Sequence, residues 1–302
     1  MNKNNLKIIF FGTPDFAVPA LKLLIENGYN ISAVFTGQGP VDILARESKI
    51  KVFQPSSLKK DEVVFEEFKN LKPDICIIAA YGKILPQKFL DVPHYGFLNI
   101  HPSLLPKYRG PSPIQTAILN GDKETGIAIM VVDAEVDHGP ILKSVKYKVS
   151  SVKNFTEITQ ELSELGAKLL IETLPKYLSG KIKPEEQDHD QATFTKMFKR
   201  ENGRINWSES GDKIYNQIRA LNPEPGTWTT WKGKVINIFN VTTLNVVSPQ
   251  MAGTVVKMDG NIAVAAKKCY LIPKSIQLEG GKEMDAKSFI NGHPDFLNSI
   301  LK

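Results

Sequence analysis

Lys7-Ile8-Ile9-Phe10-Phe11-Gly12-Thr13-Pro14-Asp15 is the stretch whose reading decides the fold. Five residues of strand type end at a glycine and a proline, which punctuate the chain. Phe16, Ala17, Ala20, Leu21, Leu23 and Leu24 then recur at helical spacing up to a stop at Asn27-Gly28. Ile31 to Phe35 is the next strand. Strand, loop, helix, strand is a βαβ unit, and βαβ units build parallel sheets. The loop holds one glycine, not the spaced three of a dinucleotide fingerprint. Gly12 is therefore read as a tight turn, with a ligand-facing backbone as the second possibility.

Working outward, the pattern continues in kind. Glu62 to Phe68 reads as a short helix, Asp74 to Ala80 as a buried strand, and Gly96 to Ile100 as another. Ile114 to Leu119 begins a helix, Thr125 to Val132 alternates as a strand, and Phe155 to Leu178 is a long amphipathic helix. From Lys181 to about Ile205 the periodicity fails, and this polar stretch reads as a linker crossing the surface. Asp212 to Leu221 is one more helix. After it come short runs of strand type at Thr227–Trp231, Val235–Val241, Gly253–Lys257, Ile262–Ala266 and Leu271–Leu278. Strands at this spacing with glycine turns suggest a small β-barrel.

The totals agree with two soluble domains. The chain has 302 residues, 42% hydrophobic and 23% charged. No apolar run reaches the roughly 18 residues of a membrane span. Met1 to Leu6 is polar, with no secretory or transit pattern, so a cytoplasmic protein is expected. Two isolated cysteines, Cys76 and Cys269, exclude a disulfide framework and a cysteine zinc site. The net charge of +6 is uneven: residues 200–302 carry 13 Lys/Arg against 9 Asp/Glu, while residues 1–199 carry 25 against 23. A basic second part suits a phosphate-bearing partner, and equally a plain lysine-rich surface.

One stretch stands out chemically: Leu98-Asn99-Ile100-His101-Pro102-Ser103-Leu104-Leu105-Pro106. Asn99 and His101 sit two apart at a strand end, so an extended backbone points both to one side. In an open α/β sheet that end is where ligands bind. An Asn amide can donate to an oxygen that becomes negative, and a His can polarise or protonate the same centre. A carboxylate brought in from elsewhere would orient the imidazole and accept a proton. Asp137 and Asp133, in Asp133-Ala134-Glu135-Val136-Asp137-His138-Gly139, are candidates, although Asp before Gly is also a common turn residue. Tyr81-Gly82-Lys83-Ile84-Leu85 follows another strand end. The pairs Leu104-Leu105 and Ile84-Leu85 read as ordinary core or as the lining of a flat apolar pocket for a ring system. His94, His138, His189 and His293 lack such context and read as surface residues. No His/Asp spacing matches a metal motif. No Ser, Cys or Thr is placed as a nucleophile, so direct attack by a substrate group is expected.

The Asn99-Ile100-His101-Pro102-Ser103-Leu104-Leu105-Pro106 segment with Asp137-x-Gly139 resembles the signature of the folate-dependent formyltransferases. The resemblance implies a catalytic set of Asn99, His101 and Asp137. It also implies a 10-formyltetrahydrofolate site on Tyr81, Gly82, Lys83, Ile84, Leu85, Ser103, Leu104, Leu105, Pro106 and Asp133, with no metal. Phe11–Ala17, Lys107–Gln115, Gly121–Gly126, Asn202–Trp207 and Ile218–Pro223 are similar to stretches of the members that formylate initiator methionyl-tRNA. The implied fold is a Rossmann-like parallel-sheet formyltransferase domain (residues 1–182), a linker (183–205) and an OB-like β-barrel domain (206–302) that holds tRNA. A monomer is expected. The near alternative is a formyltransferase acting on an amino-sugar nucleotide or other amine. One departure stands: those members carry a basic insertion after the second strand, whereas Thr36–Asp42 is short and has no Lys or Arg.

Overall fold

In the computed structural model, residues 5–244 and 246–302 are described. The polar lead Met1–Asn4 lies outside the described residues. The chain folds as two compact units. The first holds the residues up to Pro113 together with Glu124–Lys148 and Ile158–Lys196; the second holds Ile114–Lys123, Val149–Glu157 and Met197–Lys302.

The first unit contains β1 (Lys7–Gly12), α1 (Val18–Glu26), β2 (Asn30–Phe35), α2 (Pro40–Glu47), β3 (Val52–Phe53), α3 (Glu62–Leu71), β4 (Ile75–Ala79), α4 (Gln87–Leu90), β5 (Phe97–His101), β6 (Glu124–Val131) and β7 (Ile141–Lys148). The seven strands run in the order β3-β2-β1-β4-β5-β6-β7. Neighbours from β3 through β5 pair in parallel, and β6 and β7 join antiparallel. The sheet is thus Rossmann-like and predominantly parallel, as expected, with β6 antiparallel to both of its neighbours. The parallel core strands are apolar on both faces, and β4 is buried throughout. The edge strand β7 is mostly exposed or half-buried, with Lys and Ser facing out, and sequence periodicity did not show it. The Thr36–Asp42 segment is not wholly a loop, since Pro40 opens α2 and Asp42 pairs with Arg46 one turn on at 2.7 Å.

Gly12 has a packing reason rather than a ligand-facing one. A Cβ there would lie 2.7 Å from both Ala17 Cβ and the Ala79 carbonyl oxygen. No larger residue fits where β1 ends between β4 and the following turn. One face of the sheet carries an aromatic core in which Phe11 stacks on Phe35 at 4.6 Å and meets Phe97 at 5.5 Å. α5 (Pro113–Leu119) precedes the long helix α6 (Phe155–Leu178) in the chain, and on the opposite face of the sheet α6 lays Gly166 against Ile100.

The second unit contains α7 (Gly211–Leu221), β8 (Trp228–Trp231), β9 (Lys234–Leu244), β10 (Val255–Met258), β11 (Asn261–Ala266), β12 (Cys269–Leu278), β13 (Met284–Asp285) and α8 (Ala286–Gly292). Its strands are all antiparallel, in the order β10-β11-β12-β9-β8 with β13 on β12. The edges β8 and β10 do not pair with each other. The segment Asn298–Lys302 fills that gap: Lys302 and Thr230 exchange backbone hydrogen bonds, Leu301 N–H donates to Gly253, and Val255 N–H donates to Ser299. One short segment reaching both edges means that the sheet is rolled into a half-barrel closed by this tail. Trp207, Trp231, Ile236, Ile238, Val264 and Leu271 fill its core. Within the same unit Arg219, 8% exposed, donates to the Ser150 and Lys153 carbonyls at 2.9 Å. Deleting Ser299–Lys302 removes buried Leu301 and these bonds, and is expected to cost about 3 kcal/mol. Urea unfolding followed by tryptophan fluorescence checks this, since all three tryptophans lie in this unit.

Candidate active site

The strand order reverses between β1 and β4: from β1 the chain first builds outward to β3, then returns to β4 and β5. Open α/β sheets bind ligands at the carboxyl ends of strands beside such a switch point. At that end of β5, Phe97, Asn99 and His101 share the face of the aromatic core, while Leu98 and Ile100 point to the other. Asn99 pairs with Ile78 of β4 and Met130 of β6, and His101 with Ala128 of β6. Both side chains therefore project from the interior of a sheet, on rigid backbone. Leu105 folds back over Ala128 and Met130, closing the apolar side.

Asp137 arrives from the loop between β6 and β7. Its Oδ2 accepts from the Gly110 N–H at 2.7 Å, and its Oδ1 accepts from Asn99 Nδ2 at 3.3 Å. The same Oδ1 lies 3.5 Å from His101 Nδ1, with side-chain exposures of 5% for His101 and 15% for Asp137. The other ring nitrogen, Nε2, lies 3.0 Å from the Tyr108 carbonyl oxygen. A carbonyl only accepts, so Nε2 carries a proton and Nδ1 is the nitrogen left to act. Asn99 and His101, two apart on one strand, thus meet an aspartate 38 positions on from Asn99, whose carboxylate faces the free nitrogen of the imidazole. Asp137 has φ +48. Such left-handed backbone costs a non-glycine residue of order 1 kcal/mol and persists only where its surroundings fix it. Gly110, at φ +105 and hemmed by Thr195, supplies the N–H that does part of that.

The residues expected to hold a folate fall into groups. Tyr81 and Leu85 pack on the edge of the aromatic core, Gly82 is exposed, and Ile84 is 89% exposed. The Lys83 ammonium is engaged by the Pro55 carbonyl. Ser103 is fully buried, and its hydroxyl donates to Lys107 O at 2.6 Å, so it braces its own loop. Leu104 lies against Gly126, and Pro106 is half-buried. Asp133 does not stand free: its Oδ2 is 2.6 Å from His138 Nδ1. Among the described residues no group of three or more His, Cys, Asp or Glu is arranged to hold a metal ion. Two open clefts, of about 350 and 440 Å³, are lined by residues of the second unit.

Residues 6–174 match the family model for formyl transferase, and residues 197–294 match the model for the formyl transferase C-terminal domain. The chain belongs to the formyl transferase family. It is 38% identical over 309 residues to the methionyl-tRNA formyltransferase of Caldanaerobacter subterraneus subsp. tengcongensis, covering 98% of this chain and 100% of that one. Its fold is that of the methionyl-tRNA formyltransferase from Clostridium thermocellum, with a TM-score of 0.60 at 20% identity over 90% of this chain and 98% of that one. It is likewise that of an N-formyltransferase from Helicobacter canadensis solved with folinic acid and dTDP-3-aminofucose, with a TM-score of 0.69 at 20% identity over 89% and 98%.

In this formyl transferase the polar stretch after α6 does more than cross the surface. It contains no helix or strand longer than four residues, as its composition implies, yet it is fastened to the site loop. Thr195 N–H donates to Arg109 O at 2.7 Å, and Arg109 N–H donates to Thr193 O at 2.8 Å. Arg109, 3% exposed, reaches Gln187 and His189, and the His189 ring stacks on His138 at 4.1 Å. Arginine only donates, so His189 Nδ1 accepts at 2.8 Å. His189 is exposed, as expected of a surface residue, yet it is tied to Arg109 and stacked on the half-buried His138. Sequence reasoning missed Arg109, Gln187 and His189 as site residues. The partners lie 78 and 80 positions apart, and no local periodicity marks them.

No helix among the described residues is long and apolar enough to cross a membrane.

Proposed function

We propose that this chain transfers the formyl group of 10-formyltetrahydrofolate to the free amine of initiator methionyl-tRNA. The observation that carries the reading is the Asn99–His101–Asp137 cluster in a chain 38% identical, end to end, to a methionyl-tRNA formyltransferase.

The residues around the cluster suit a flat, partly polar ring. The Tyr81 hydroxyl is buried with no hydrogen-bond partner in the protein. Burial pushes its pKa up to about 12, so it stays a neutral phenol able to donate or accept. Ile84 and Val136 are exposed apolar side chains on two of the three loops, and Leu105 backs the third. Tyr81–Leu85, Ser103–Pro106 and Asp133–Asp137 would hold the folate. When bound, 10-formyltetrahydrofolate supplies an electrophilic formyl carbon.

The chain's own groups do the rest. Asn99 has a second amide N–H to give an oxygen on which negative charge develops. His101, with Nε2–H held by Tyr108 O, presents Nδ1 to the same centre, and Asp137 stabilises positive charge on the ring. Donors fixed in advance on strand backbone gain most where charge appears only in the transition state. As the amine nitrogen bonds the formyl carbon and the bond from that carbon to N10 of the folate breaks, the Asp137 carboxylate, with His101, would receive the proton the amine loses and return one to the departing nitrogen.

The acceptor is tested by measuring kcat/KM for initiator methionyl-tRNA, elongator methionyl-tRNA and an amino-sugar nucleotide with one folate donor. Initiator methionyl-tRNA is expected to exceed the amino sugar by at least about a thousandfold, the size of discrimination that site-made polar contacts support. Preference for the amino sugar would overturn the reading. Lys232, Lys234, Lys257, Lys267, Lys268 and Lys274 are exposed on the second unit. If they face tRNA phosphates, KM for tRNA should rise about tenfold or more between 50 and 200 mM salt, whereas KM for the folate should not.

A further inference from the structure

Gln187 lies in a stretch whose neighbours Glu185, Glu186 and Asp188 are exposed, yet Gln187 itself is 6% exposed. Its amide nitrogen donates to the Asp137 carbonyl at 3.0 Å and to the Gly139 carbonyl at 2.7 Å. Its amide oxygen accepts from Arg109 Nε at 3.1 Å and Nη2 at 2.7 Å. Both N–H groups and both lone pairs are engaged. The amide cannot be turned over, because guanidinium only donates and backbone carbonyls only accept. Arg109 is one residue before Gly110, whose N–H holds the Asp137 carboxylate. Asp137 is therefore gripped from two sides: its side chain by Gly110, and its backbone by Gln187, which is tied in turn to Gly110's neighbour.

We propose that Gln187 is a positioning residue for formyl transfer, fixing the strained backbone of Asp137 so that its carboxylate faces His101. The inference rests on the reading that Asp137 works in that reaction. Gln187 acts through Asp137; nothing places it against a substrate. The φ of +48 at Asp137 persists only while its surroundings determine it. Gln187 bonds both Asp137 and Gly139 carbonyls, and so spans that residue and the turn that follows it. A shift of about 1 Å in a reacting group costs on the order of a hundredfold in rate.

Gln187→Glu separates this role from simple support. It keeps the oxygen that accepts from Arg109, and sets an oxygen instead of two donors against the Asp137 and Gly139 carbonyls. Gln187→Met loses all four bonds. For Gln187→Glu, at matched folded fraction by near-ultraviolet circular dichroism, kcat is expected to fall by about a hundredfold with both KM values within about threefold. The Gly110 amide should exchange its hydrogen about tenfold faster, while the amides of β1 and β4 stay unchanged. Adding Gln187→Glu to Asp137→Asn should slow the enzyme no further, because the two act as one unit. A Gln187→Glu enzyme with kcat within threefold of wild type and unchanged Gly110 exchange, when Asp137→Asn is inactive, would overturn the role of Gln187 alone. The same would follow if only Gln187→Met were slow, since support of Arg109 would then suffice. An Asp137→Asn enzyme with near-normal kcat would overturn the formyl-transfer reading of the cluster itself.

Discussion

Asp137→Asn is expected to lower kcat by about a thousandfold or more while leaving KM for the folate within about threefold. Asparagine is the most informative replacement because it tolerates the left-handed backbone that Asp137 adopts at φ +48. The loop should therefore hold its shape, and the Gly110 N–H can still donate to the amide oxygen. What is lost is the charge. A neutral amide cannot accept the amine's proton. Its Nδ2, if turned toward Asn99 Nδ2, would set donor against donor. Proton transfer by a positioned side chain and fixed charge beside a developing ion each contribute about a hundredfold or more. Unchanged circular dichroism with the rate collapsed would locate the loss in chemistry rather than in folding.

Phe11→Ala is expected to destabilise the protein by about 3–5 kcal/mol. Phe11 is fully buried, and its ring meets Phe35 at 4.6 Å, Phe97 at 5.5 Å, Tyr81 at 5.4 Å and Phe68 at 6.1 Å. Four aromatic neighbours cannot collapse into the space left without moving their own rings, so most of the cavity cost is retained. Two of them belong to the site's frame: Phe97 begins the strand that ends at His101, and Tyr81 begins one of the loops proposed to hold the folate. Activity should therefore fall before the protein melts. Urea unfolding by far-ultraviolet circular dichroism checks the magnitude, and a lower midpoint at unchanged slope is the expected form.

The elements that were legible in the sequence are those whose burial follows a clean period. The strands β1 and β4 are almost continuous apolar runs, β2 and β5 are mostly apolar between turn residues, and α6 runs over Phe155–Leu178, the span its spacing implies. β7 escaped notice because it is an edge strand of mostly exposed Lys, Ser and Tyr. β3 has only two residues, too few for any period. The antiparallel direction of β6 leaves no mark on its own sequence, since a strand's side chains alternate alike in either direction. Asn99 and His101 were legible as a pair because strand period two puts them on one face. Asp137 had the sequence of an ordinary turn, and only the resemblance singled it out. Gln187 and Arg109 were not legible at all. Gln187 sits among Glu and Asp in a stretch that reads as solvated linker, and its burial follows from contacts some 50 to 78 positions away.

The central claim is that the Asn99–His101–Asp137 cluster carries out formyl transfer, and the His101→Ala enzyme tests it most directly. The measurement is the single-turnover rate of formyl transfer from 10-formyltetrahydrofolate to initiator methionyl-tRNA, with enzyme in excess so that product release does not enter. The account predicts a rate lower by about a thousandfold, with folate binding measured separately within about threefold of wild type. A His101→Ala rate within tenfold of wild type would contradict it.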